Sequence, residues 1–314
     1  MTNGRNIADK ERPPNQCRDS QGAATAPTRA PVGIIAGAGR FPFLVAEGAR
    51  HQGRSVVIIG LRGLADPGLQ SVSDVFRWFG IGRLGGWIRF FRRQQVNQAV
   101  MAGWVRKTDM YGRFRMLHLM PDWTTARLWF FGLADKRNDT VLGAVADVLA
   151  GKNIHLDNCV RYCTEALAPD AVLTDRAPSA DQWKDIRFGW NIAKEMGRLD
   201  IGQSVAVKET EVIAVEAIEG TDRMIERAGQ LCSRGGWILI KAAKPNQDMR
   251  FDVPTVGPDT IEKLHRHGGR VLVIEAGVTV IIDRERMLEM ARRLQVTVIG
   301  WSGRRSDGNR SVDT

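Results

Sequence analysis

The stretch VGIIAGAGRFP, residues 32–42, runs a short apolar segment into two glycines and then into a pattern with helical spacing. A strand, a tight turn and a helix in that order open a parallel α/β domain, and the helix N-terminus after such a turn suits an anion. A dinucleotide-binding turn needs G-x-G-x-x-G/A, then an acidic residue about 20 positions on, at the end of the second strand. Gly37 and Gly39 supply the first two glycines, but Pro42 stands at the third place. Proline belongs in the first turn of a helix, where its missing N–H costs little. The second strand ends Gly60-Leu61-Arg62, with no carboxylate for a ribose. A phosphate-binding turn is the reading that remains. An NAD(P)-dependent oxidoreductase and a tight turn without a ligand are the alternatives.

Working outward, residues 41–52 carry apolar positions at helical spacing, SVVIIG at 55–60 reads as the next strand, and VNQAVMAG at 96–103 as a third. DTVLGAVADVLA at 139–150 is helical, and periodicity fades into a linker over 163–179, which holds two prolines. A helix then covers 181–198, two strands joined by a turn cover 203–217, and 221–231 is helical. WILIKAA at 237–243 is a strand, 258–267 a helix, 271–283 a second strand pair, 284–294 a helix and 297–301 a last strand. The expected fold is two α/β domains: a Rossmann-like parallel sheet over 31–168 and a smaller mixed α/β domain over 169–303. Residues 1–30 are expected to be a disordered extension, with no apolar signal-peptide core, and 304–314 a frayed tail.

The apolar runs are strand-sized, well short of the roughly 20 residues that span a membrane. Cys17, Cys159, Cys163 and Cys232 are scattered. The spacing of Cys159 and Cys163 lacks the second pair or histidine that a zinc site needs, so buried thiols are expected. The net charge of +10 calls for an anionic partner. Residues 1–30 hold five Arg/Lys against three Asp/Glu, so most of the excess lies in the folded body. Nucleic acid would account for the charge, but no helix-turn-helix, zinc or RNP-type motif supports it.

The richest polar signal follows residue 196, in GRLDIGQSV (197–205), VEAIEGTD (215–222), IKAAKPNQDMRFDVPTVG (240–257) and IEAG (274–277). Each piece places polar side chains just beyond an apolar strand, where α/β sheets usually hold ligands. Asp200, Glu216, Glu219, Asp222, Asp248, Asp252 and Glu275 converging there would suit Mg²⁺, which takes oxygen ligands and substrate phosphates. Lys241, Lys244 and Arg250 would neutralise phosphoryl oxygens. The plainer roles are caps and turns: Thr221 and Asp222 fit a helix start. Asp252 stands apart, because it precedes Val253-Pro254 in an irregular segment dense in polar groups.

At these motifs the chain resembles the LpxI-type UDP-2,3-diacylglucosamine diphosphatases of lipid A biosynthesis. The likeness spans about Gly33 to Gly300 and rests on GIIAGAGRFP, the ADP at 65–67, GRLDIGQSVAV at 197–207 and VIAVEAIEGTDRMIERAGQL at 212–231. KAAKPNQDMRFDVPTVG at 241–257 and VIEAGVTVIID at 273–283 complete it. The resemblance implies Mg²⁺-dependent hydrolysis of UDP-2,3-diacylglucosamine to UMP and 2,3-diacylglucosamine 1-phosphate (lipid X). It also implies two domains enclosing the lipid product and a homodimer; no nucleic acid is expected, and a substrate with two acyl chains leads to the expectation of a cytoplasmic enzyme peripherally associated with the inner membrane. The family's R-x-D-x-P-T-x-G motif falls on Arg250, Asp252, Pro254, Thr255 and Gly257, which makes Asp252 the key carboxylate.

The expected catalytic residues are therefore Asp252, Lys244 and Arg250, with Asp252, Asp248, Glu216 and Glu219 as metal ligands. Gly37, Gly39, Gln203, Thr221, Asp222, Lys241, Gln247 and Thr255 are the expected substrate contacts. The chain departs from its relatives at Trp104, where they usually carry Lys or Asn, and in an aromatic, basic stretch over 105–131. For membrane contact there are two candidates. GGWIRFFRRQQ (85–95) is a basic aromatic helix whose apolar side is core or lies at the lipid entrance, and WTTARLWFFG (123–132) is the other.

Overall fold

The computed structural model describes residues 29–105, 121–132, 138–245 and 248–304. The expected extension over 1–30 and tail over 304–314 fall almost wholly outside the described residues, as does Gln247. The first sheet has five parallel strands in the order β3-β2-β1-β4-β5. They are β1 (Arg29–Ala36), β2 (Arg54–Leu61), β3 (Val75–Phe79), β4 (Gln98–Ala102) and β5 (His155–Leu156). Because β1 is paired on both sides and covered on both faces, it reads as a continuous apolar run. Val32, Ile34 and Ala36 face α1 (Phe41–His51), while Ile35 faces α2 (Leu84–Arg93) and α4 (Asn138–Ala150). Pro42 lies in the first turn of α1, and Arg50 and His51 in its last, each where proline and positive charge are favoured.

Trp87, Ile88, Phe90 and Phe91 of α2 are buried in the sheet's second apolar cluster. The core reading of that helix is the one the fold adopts, and Phe90 and Phe91 are not available to a membrane. The N-terminus of α2 is held by the start of α3 (Trp123–Phe131). There Asp122 Oδ2 accepts from Gly86 N (3.0 Å) and Thr125 Oγ1 from Leu84 N (3.1 Å), while Asp122 Oδ1 caps α3 through Thr125 N at 3.0 Å. Gly33 of β1 makes room for α2, because a Cβ there would stand 2.8 Å from the Phe91 ring.

The second sheet is mixed and, at six strands, the wider of the two, in the order β6-β13-β11-β9-β7-β8. Its members are β6 (Ala171–Val172), β7 (Ser204–Lys208), β8 (Glu211–Val215), β9 (Trp237–Lys241), β11 (Gly269–Glu275) and β13 (Thr297–Trp301). The strands β9, β11 and β13 run parallel, while β6, β7 and β8 pair antiparallel with their neighbours. Helices α5 (Ala180–Arg198), α6 (Thr221–Leu231), α7 (Pro258–Arg266) and α8 (Arg284–Arg293) cover it. α5 starts on a Ser179/Gln182 capping box, as its sequence signals.

Three expectations need correction. The strand at 96–103 is the fourth, since β3 lies between; VFRWF is aromatic and half-buried and lacks the aliphatic run that marked β1 and β2. The two strands within 271–283 do not pair with each other. β11 belongs to the six-stranded sheet, whereas β12 (Val280–Ile281) pairs in parallel with β10 (Thr255–Val256). That small ribbon sits between the two large sheets. Val280 is part of the first sheet's core and Ile281 of the second's, because successive strand residues point to opposite sides. The segment read as a linker is tied down too: Leu167 bridges Val280, and Ala168 N donates to Thr279 O at 2.9 Å.

Truncating a fully buried ring forfeits its transfer energy and leaves a cavity. Phe91→Ala should therefore lower stability by about 3–5 kcal/mol in urea denaturation; a loss below about 1 kcal/mol would contradict the burial of α2.

Candidate functional site

The glycine turn is built by backbone. Gly37 N donates to Ala102 O (2.8 Å), Ala38 N to Trp104 O (3.0 Å), and Trp104 N to Ala38 O (3.1 Å). A Cβ on Gly37 would stand 2.8 Å from Trp104 O, so this glycine serves the close approach of β1 to the continuation of β4. The expected role of the Gly37 amide at a phosphate is corrected on that ground: the N–H is already spent on Ala102. Gly39 adopts the left-handed conformation (φ +92°) that glycine tolerates best. Its N–H and that of Arg40, just before α1, have no partner among the described residues and are open to an anion.

A polar group gathers at one end of the second sheet. Ser204 opens β7 opposite Lys241 at the end of β9. Thr221, the first residue of α6, donates to Glu216 Oε2 at 3.0 Å and lies 3.3 Å from Ser204 Oγ. Lys241 is buried, and its Nζ donates to Thr255 O at 3.1 Å, which ties the 248–257 loop to β9. The Gln203 side-chain oxygen is buried without a partner among the described residues. Gln203, Thr221, Lys241 and Thr255 thus fall into one neighbourhood, with Glu216 inside it as a hydrogen-bond acceptor.

The other expected residues are engaged elsewhere. Glu219 accepts from Ala217 N (3.1 Å) and pairs with Arg227 (2.5 Å). Hydrogen bonds to its own turn's backbone and to Arg227 hold its carboxyl below the usual range. Asp222 pairs with Lys263 between α6 and α7. Lys244 pairs with Asp200 at 2.5 Å. Glu275 binds Lys194 of α5 through both oxygens (2.7 and 2.8 Å) and accepts from Ala243 N at 2.7 Å. Lys194 was not among the expected residues, since a lone lysine within an amphipathic helix gives no signal in sequence. Cys159 and Cys163 are buried free thiols, and burial pushes both pKa values up to about 12, so neither supplies a thiolate.

The loop carrying RFDVPT is stapled by one carboxylate. Asp248 Oδ1 accepts from Arg250 N and Nε (both 3.0 Å), Oδ2 accepts from Arg250 Nη2 (2.7 Å), and Asp248 O accepts from Phe251 N and Asp252 N (3.0 and 3.1 Å). The Arg250 guanidinium holds the Asp248 carboxyl below its usual value. Asp252 is left exposed, with no partner for its carboxylate among the described residues. Around it, Met249 and Val253 pack on the α1 side of the first sheet, and Arg40, which precedes α1, lies 3.9 Å from Asp283, next to β12. The loop comes from the second half of the chain and is seated on the first.

Four carboxylates do not converge. Among the described residues no three His, Cys, Asp or Glu side chains are grouped to hold an ion, and Asp248, Glu216 and Glu219 each already have a partner. Of the expected metal set of Asp252, Asp248, Glu216 and Glu219, Asp252 is the carboxylate without a partner among the described residues. That still fits Mg²⁺, which commonly binds through one or two carboxylates and takes its other ligands from substrate phosphates and water.

Fold and site together define a two-domain α/β protein with one exposed, uncommitted carboxylate on a cation-bearing loop at the junction of its sheets. The comparisons are specific. A model of the LpxI N-terminal domain matches residues 31–165, and one of the LpxI C-terminal domain matches residues 169–299. A protein of Caulobacter vibrioides named UDP-2,3-diacylglucosamine pyrophosphatase LpxI is 33% identical over 281 residues, covering 86% of this chain and 96% of the relative. The chain belongs to the LpxI family.

Asp248 has a folded pKa below the unfolded value of about 3.9. Its pair with Arg250 therefore stabilises fully above the unfolded value, and that stability is lost as pH falls through the lower folded pKa. The stability difference between wild type and Asp248→Asn, measured by urea denaturation, should be flat above about pH 5 and shrink in more acid solution. Both side chains are more than a third exposed, so the full difference should stay below about 1 kcal/mol.

Proposed function

We propose that this protein hydrolyses the pyrophosphate of UDP-2,3-diacylglucosamine, releasing UMP and 2,3-diacylglucosamine 1-phosphate, with Mg²⁺ as cofactor. The observation that carries the reading is Asp252: an exposed carboxylate without a partner among the described residues, inside the RFDVPT loop. The name of the Caulobacter relative supplies the substrate class. Hydrolysis breaks one phosphorus–oxygen bond of the bridge; water provides the new bond and gives up its proton as the phosphate leaves. Asp252 orients that water and accepts its proton. Mg²⁺, when bound beside Asp252, supplies neutralisation of charge on the pyrophosphate oxygens.

Arg250 and Lys244 reach the substrate by exchange. Exposed ion pairs are worth about 0–1 kcal/mol, so a pyrophosphate bearing more charge can take these cations from Asp248 and Asp200 at small cost. Gly39 and Arg40 N–H groups face the nucleotide portion. No observation favours the oxidoreductase alternative, because β2 ends without an acidic residue. The homodimer rests on the family resemblance.

The diacyl substrate brings the protein to a lipid surface on the cytoplasmic side of the inner membrane. No helix among the described residues is long and apolar enough to cross a bilayer. With α2 buried, α3 is the contact. Trp123 (83% exposed) and Phe130 (75%) lie on the same side of that helix as Arg127. Such an aromatic and cationic stripe suits an anionic interface.

Wild-type protein with Mg²⁺ should release UMP, and Asp252→Ala should lower kcat by about a thousandfold; undiminished turnover in the variant would refute its role. The membrane part is tested separately by sedimentation with anionic vesicles. Trp123→Ser with Phe130→Ser should weaken binding by roughly tenfold without changing stability, and unaltered binding would sink the assignment to α3.

A further inference from the structure

The place of Asp252 is set by the residues on either side of it. Met249 and Val253 pack against the apolar cluster on the α1 face of the five-stranded sheet. Phe251 packs against the cluster on the opposite face, with α2 and α4. A segment whose alternate side chains reach both faces of one sheet has to cross its rim, and Asp252 stands at the crossing. The near end of the loop is closed by Asp248, and the far end is tied to β9 through Lys241 and Thr255. Among the described residues of the loop, Phe251 alone grips the α2 face, and the Arg250 guanidinium lies over its ring, 4.9 Å from the centroid. One ring thus supports both the carboxylate beside it and the cation before it.

We infer that Phe251 is a positioning residue, whose seat on the first sheet determines where Asp252 and Arg250 stand. The N-terminal domain thereby governs chemistry performed by a carboxylate of the C-terminal domain. Loss of the ring leaves Asp252 attached through a loop that is anchored on one face only. A displacement of about 1 Å in a reacting group can cost a hundredfold in rate, whereas substrate affinity is spread over many contacts. The kinetic part of this inference rests on the proposed hydrolysis; the anchoring part does not.

The test has two arms. Without substrate, hydrogen exchange reads the Phe251 and Asp252 amides, which donate to Asp248 O. Phe251→Ala should speed their exchange while the strands of both sheets keep theirs. With substrate and Mg²⁺, Phe251→Ala should lower kcat roughly 10- to 100-fold with KM changed by less than about threefold, and Phe251→Leu should restore most of the rate. In an Asp252→Ala background, adding Phe251→Ala should cost clearly less than it does in wild type, because only its effect through Arg250 remains. Unaltered exchange overturns the anchoring whatever the activity. Faster exchange with unaltered kcat overturns the positioning role, as does an equal loss with and without Asp252. If wild-type protein releases no UMP, the proposed hydrolysis fails while the exchange arm still decides the anchoring.

Discussion

The structure depends most on the main-chain tie between its two halves. Ala168 N donates to Thr279 O (2.9 Å), Gly277 N to Ala168 O (2.8 Å), and Val280 N to Pro254 O (2.9 Å). The first and third of these bonds join buried residues, whose backbone groups would be costly if left unpaired. They also place the β10–β12 ribbon so that Val280 enters one core and Ile281 the other. The loop that carries Asp252 runs directly into β10 of that ribbon.

Charge at the junction is arranged by elimination. Glu219, Asp222, Asp248 and Glu275 each hold a cation, and Glu216 holds a hydroxyl. These pairs organise turns and helix ends and contribute little individually where they are exposed. Their effect is to leave Asp252 uncommitted beside cations whose present partners are easily exchanged. Under the function proposed above, a pyrophosphate would draw Arg250 and Lys244 across, and the site would need few dedicated ligands of its own.

Much of this was legible in the chain. The apolar run at 32–36, the helical spacing after Pro42 and the alternation of strand and helix define a parallel domain, because a strand covered on both faces must be apolar throughout. The mixed sheet was legible from the tight turn between β7 and β8. What sequence hid was β3, whose aromatic residues resemble those of a packed helix as much as a strand, and the separation of β11 from β12 into different sheets. Two-residue strands have no periodicity to read. The carboxylate cluster misled for a related reason: spacing shows which acids stand near strand ends, but not which arginine or lysine arrives from elsewhere to occupy them.

The sequence by itself determined the two α/β domains and the family, and it singled out Asp252, since these follow from local periodicity and from motifs contiguous along the chain. Only the tertiary structure decided that the Gly37 amide is consumed by β4, that Phe90 and Phe91 are core, and that Asp248 is a staple for its loop. It alone decided that the Asp252 loop lies on the opposite domain's sheet. The physical reason is the same throughout: a partner is set by which surfaces meet in the fold, and local spacing along the chain does not show that meeting.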